Sequence, residues 1–109
     1  MATSTIEKDA PIIKRKAYSY KVGAVAAGAV KEITANQLGV TIPDGYNVLG
    51  VYVAYTSASH LAVIGVRATA SGTAEMMYVK NTHASTATGA NTSVYISLAY
   101  IRSDLQQTL

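Results

Sequence analysis

Few side chains in this 109-residue chain have types and spacings that could carry out chemistry: His60, His83, six carboxylates and the hydroxyls near them. A Ser/His/Asp nucleophile system needs an imidazole in reach of a serine and oriented by a buried acid. His60 follows Ser59, and Asp44 and Asp104 are candidate acids, yet both sit in turn-like sequence and no elbow motif surrounds any serine. Cysteine is absent, which removes thiolate chemistry and disulfides and leaves two histidines as the nitrogen ligands, too few for a zinc site. Glycoside cleavage needs two carboxylates facing one bond. Glu7 and Asp9 lie near the N-terminus, and Glu32, Asp44, Glu75 and Asp104 are scattered. Gly23 and Gly28 are not followed by the helix whose N-terminus a phosphate cradle uses. The expectation is a non-enzyme with no cofactor and no metal, both histidines being surface residues of polar loops.

The remaining candidates are cations and tyrosines. Lys14, Arg15 and Lys16 precede Tyr18 and Tyr20, which pairs phosphate-neutralising charge with stacking rings. Three contiguous charges are common in arms of every kind, so nucleic acid ranks below a protein partner here. Residues 1–21 hold five basic and two acidic side chains, whereas the rest of the chain holds four of each. The net charge of +3 therefore reads as a cationic arm on a neutral body, suited to an acidic surface. All eight aromatic rings are tyrosines, each with a hydroxyl that wants water or a partner, as at interfaces.

The elements that would position these groups read as strands. Half the residues are hydrophobic and 14% are charged, enough for one packed core in a chain of this length. The longest apolar run, Val48 to Tyr55, is far below the roughly 18 residues of a membrane span. No apolar signal segment opens the chain, so assembly in the cytoplasm without export is expected. Residues 1–16 read as an extended arm and residues 17–109 as the body. Short alternating stretches begin at Ala17, at Val30 to Thr34 and at Gln37 to Ile42, followed by the Ile42-Pro43-Asp44-Gly45-Tyr46 turn. Further strands are expected at Asn47 to Tyr55, Leu61 to Ala68, Glu75 to Lys80 and Thr92 to Arg102. The fold class is all-β: a small antiparallel β-sandwich, jelly-roll-like.

Two strands break the rule that one face meets the core and the other water. Leu49, Val51, Val53 and Tyr55 would share one face, opposite Val48, Tyr52 and Ala54; Val94, Ile96, Leu98 and Tyr100 stand opposite Tyr95, Ala99 and Ile101. A second apolar face must meet something, and a homo-oligomer through Tyr52, Tyr95 and Ile101 is the expectation. No membrane contact is expected.

The body from about Tyr20 to Leu105 resembles small β-sandwich modules of tailed-phage head-fibre and decoration proteins. The resemblance is carried by Val25-Ala26-Ala27-Gly28, Ile33 to Val40, the Ile42 to Tyr46 corner, Tyr78 to Thr82 and Ala99 to Leu105. It implies a virion component, commonly a trimer, fastened to the major capsid protein or another virion protein by its N-terminal segment. On that reading Lys8, Lys14, Arg15, Lys16 and Tyr18 form the attachment surface. The chain lacks a long shaft between arm and body, which fits a capsid-seated protein better than an adhesive fibre. The alternative is a receptor- or glycan-binding fibre tip.

Overall fold

The computed structural model describes residues 10–69 and 73–105. Two three-stranded antiparallel sheets face each other as a β-sandwich. Six strands build them: β1 (Ile13–Lys21), β2 (Val30–Thr34), β3 (Tyr46–Thr56), β4 (Leu61–Val66), β5 (Glu75–Asn81) and β6 (Ser93–Arg102). Sheet A has the order β1-β6-β3 and sheet B the order β2-β5-β4. β6 is the central strand of sheet A, and its alternation is regular: Val94, Ile96, Leu98 and Tyr100 are fully buried, and the residues between them are half-buried. They pack with Met77 and Val79 of β5, Ile33, Leu61 and Val25 in one core.

Strand boundaries at turns follow from local chemistry. Gly45 takes φ of 81° and Tyr46 N–H closes on the Pro43 carbonyl at 3.1 Å, so Asp44 and Gly45 form the corner and Pro43 precedes it. The strand expected over Gln37 to Ile42 is instead a four-residue helix, α1 (Ala35–Leu38). Thr34 and Gln37 form a reciprocal capping box, with Thr34 N–H on Gln37 Oε1 at 2.9 Å, and Gly39 closes the turn in the left-handed region. Leu38 and Ala35 thereby enter the core.

The arm is shorter than expected. Ile13 to Lys16 pair with Ile101 to Leu98 as the first half of β1, so the boundary at residue 16 falls inside a strand. Arg102 holds the start of that strand: its backbone N–H donates to the Ile12 carbonyl at 3.0 Å and its guanidinium to the Ala10 carbonyl at 3.2 Å. The same guanidinium meets Asp104 at 2.7 Å and keeps that carboxyl below the usual carboxylate range. Met76 and Met77 are adjacent yet both fully buried, because the β2–β5 register skips Met76 between Met77, opposite Ile33, and Glu75, opposite Thr34.

Inside sheet A the Tyr18 hydroxyl donates to the Thr41 carbonyl at 3.0 Å, so the Tyr100 hydroxyl 2.7 Å away donates to Tyr18. Burial first, and then this hydrogen bond, pushes the Tyr100 phenol up from 10.0. The folded chain keeps a proton that the unfolded chain loses near pH ~10, so this stability is full below that pH and is lost progressively as pH rises from there through the higher pKa of the folded state. Urea midpoints of the wild type should fall more steeply than those of Tyr100→Phe between pH 9 and 11; equal slopes would deny the pair this role.

Candidate assembly surface

The outer faces of the two sheets differ in chemistry. The strands of sheet A carry no Asp or Glu and five cations, Lys14, Arg15, Lys16, Lys21 and Arg102. The strands of sheet B carry Lys31 and Lys80 against Glu32 and Glu75, two of each sign. Sheet B thus presents an ordinary mixed-charge surface, whereas alternation leaves Arg15 and Lys21 as the strand cations of the outer face of sheet A, beside apolar and small side chains.

β3 supplies the apolar side chains of that face. Its register against β6 shifts between Val48 and Gly50 and again between Val51 and Val53. At each bulge two residues of β3 oppose one on β6, which returns the inward-facing role to Val48, Val51 and Ala54 and sends Leu49, Tyr52 and Val53 outward. Strict alternation had grouped Leu49, Val51, Val53 and Tyr55; the bulges remove Val51 from that face. Tyr52 is 62% exposed and Tyr55 53%. Tyr55 stacks on Tyr95 across the strands at 4.8 Å between ring centres. Tyr52 meets the Arg15 guanidinium, whose carbon lies 4.3 Å above its ring. Between these rings runs a groove of about 350 Å³ floored by Ala17, Ser19 and Ser97.

The structure therefore brings Tyr52 and Tyr95 together on one face. Ile101 shares it but sits at the far end, half-buried between Ile13 and Asn47. Lys8 lies outside the described residues. Lys14, Arg15 and Lys16 are exposed on β1 and lean on the body rather than forming one basic patch. Lys14 Nζ is 4.7 Å from the Tyr46 ring, and Lys16 Nζ donates to Thr41 Oγ1 at 3.1 Å. Alternation places them on opposite sides of the strand. Tyr18 is a correction: its ring is in the core and its hydroxyl is spent on Thr41 and Tyr100, so it is not an exposed attachment group beside the three cations. Sequence reading missed Leu49 and Tyr55 as surface residues of this face, and the role of Arg15 as the rim of its groove.

The histidines belong to the loop scaffold at the end of the sandwich. His83 Nδ1 accepts the N–H groups of Ser85 and Thr86 at 3.2 and 3.1 Å, and His60 packs edge-on to it at 5.7 Å. His60 is half-buried, with Nε2 shielded and unpartnered, so the expectation of a surface residue fails for it. Asn81 organises the neighbouring loops: wholly buried, it donates to the Val25 and Thr86 carbonyls at 2.9 and 2.8 Å and accepts from His83 N–H at 2.9 Å. Among the described residues no three of His, Asp and Glu gather where a metal could sit, and no helix is long and apolar enough to cross a membrane. The chain matches no protein-family model, no curated protein and no solved structure.

Proposed function

We propose that this chain is a non-enzymatic virion structural protein, a capsid decoration or head-fibre subunit. It associates with copies of itself through the outer face of sheet A and attaches to the major capsid protein or another virion protein by its N-terminal segment. The observation that supports this most is the outer face of sheet A, where Leu49, Tyr52, Val53 and Tyr55 remain exposed beside small residues and no carboxylate. Burying each large side chain of such a face contributes roughly 1.5–3 kcal/mol, which works against the translational and rotational cost of association. The trimeric state and the virion location follow from the resemblance of the sequence to phage modules.

The attachment segment is read as the residues before β1, with Lys14, Arg15 and Lys16 flanking it. Removal of residues 1–9 tests the division of labour, because it leaves the hydrogen bonds of Arg102 to Ala10 and Ile12 in place. Light scattering should give the same multiple of the chain mass for the truncated and full chains, and the truncated chain should no longer co-sediment with virions. A monomeric full chain at high concentration defeats the reading. Undiminished binding of the truncated chain to host cells would favour the receptor- or glycan-binding alternative.

A further inference from the structure

We infer that the outer face of sheet A receives not the same face of a second copy but that copy's β4 edge, with Ile64 seated in the groove between Tyr52 and Tyr55/Tyr95. This rests on the self-association proposed above and names the surface that completes it.

Three observations carry it. The first is shape. β4 bulges between Val63 and Gly65, leaving Ile64 without a partner on β5 and 55% exposed, a projecting aliphatic side chain on an edge strand free of charge. Sheet A offers the complementary form, a groove of about 350 Å³ with a floor of Ala17, Ser19 and Ser97. Two copies of the groove set face to face would enclose space that no side chain of the small-residue floor can fill, whereas protein contacts pack to interior density. A knob on one copy and a groove on the next fit without that void.

The second is charge. Alternation leaves Arg15 and Lys21 as the strand cations of the outer face of sheet A, with no strand-borne acid, so apposing two of these faces brings like charges together. The face of sheet B around Ile64 carries both signs: Gly65, the next residue along β4, is level with Tyr78 and with Glu32 on β2, and Lys80 pairs with Ala62. An Ile64 knob entering the groove therefore brings a mixed-charge face, with Glu32 as well as Lys80, to the sheet that holds Arg15, rather than a second cationic one.

The third is placement. The groove opens on sheet A and Ile64 projects from sheet B, so one chain cannot fill its own groove. Two different patches on one chain pair head to tail, which closes into a ring when the rotation permits. A ring of three is compatible with the trimer expected above. The bulges on β3 and β4 also explain why the contact is made by side chains, since a bulged edge is a poor template for an added strand.

Mixing two surface variants tests this. Tyr52→Asp spoils the groove and leaves the knob; Ile64→Asp spoils the knob and leaves the groove. Circular dichroism of each should match the wild type, both sites being largely exposed; Tyr52→Ser and Ile64→Ser replace any variant that fails this check. By light scattering each variant alone should be monomeric, whereas an equimolar mixture should give a complex of two chains, joined by the one intact knob and groove. If Ile64→Asp alone keeps the wild-type mass while Tyr52→Asp does not, pairing is face to face and the head-to-tail inference is overturned, with self-association standing. If the wild type itself is monomeric, self-association falls and the inference with it.

Discussion

Ile96→Asp abolishes folding of this protein. Ile96 is 1% exposed at the middle of β6, the central strand of sheet A, between Tyr18 on β1 and Ala54 on β3. Truncating such a residue costs about 2–5 kcal/mol through lost burial and the cavity left behind. Placing a carboxyl there adds roughly 2–7 kcal/mol even if it takes up a proton, because the hydroxyls of that core, Tyr18 and Tyr100, are already engaged with each other and with Thr41. The sum reaches most or all of the roughly 5–15 kcal/mol by which small domains are stable. Far-UV circular dichroism should show loss of the β signal, and soluble yield should collapse. A folded Ile96→Asp chain with wild-type midpoint would mean that β6 does not face the core as described.

Asn81→Ala is the second large effect, and it acts on the loops rather than the sheets. Asn81 ends β5 and is wholly buried, with both amide hydrogens and the carbonyl oxygen engaged by residues of two different connections. Alanine leaves the Thr86 carbonyl and the His83 N–H without these partners. The Val25 carbonyl is less exposed to the loss, because it also accepts from Thr88 N–H at 3.0 Å. One or two orphaned groups and a small cavity cost about 2–4 kcal/mol, a fall in Tm of roughly 10–20 °C for a domain of this size. Hydrogen exchange should speed most at His83 and Thr86 and much less in β6. Asn81→Asp should be no milder than alanine at neutral pH: one oxygen still accepts from His83, but the other faces the Val25 and Thr86 carbonyls as a buried acceptor. An unchanged Tm for Asn81→Ala would assign the loops' order to the backbone bonds alone.

The surface effects are smaller per residue and are read in mass rather than in stability. Tyr52 and Ile64 touch little of the core, so their replacement should leave the monomer intact. Their importance lies in pairing two unlike patches, and this is why the outcome depends on which chains are mixed.

Much of the fold was legible in the residue order because it is local. The alternation of Val94, Ile96, Leu98 and Tyr100 has a period of two, and on a central strand with a regular ladder that period is all the geometry requires. The Asp44-Gly45 corner likewise depends only on which residues accept positive φ. The capping box of Thr34 and Gln37 was present in the letters too, but its helix is one turn long and carries no apolar stripe to announce it.

The candidate surface was only half legible. Tyr52 and Tyr95 could be picked as excess aromatic area on strands that needed just one buried face. Which of the β3 residues point outward could not, because a bulge is a mismatch between two strands some forty residues apart, visible only once β3 is laid on β6. The same applies to Lys14 to Lys16: a basic triplet reads as an arm until β6 supplies a partner strand that fixes its backbone.

By itself, then, the amino-acid order determined an all-β chain, its turns and the inward stripe of its central strand, since these depend on periods of two and on the φ preferences of single residues. Tertiary pairing alone decided that Tyr18 is buried, that Leu49 and Tyr52 are ejected, and that every acid borne on a strand lies in sheet B. Those outcomes arise from register and sheet assignment, which are relations between segments distant in sequence and have no signature in any one of them.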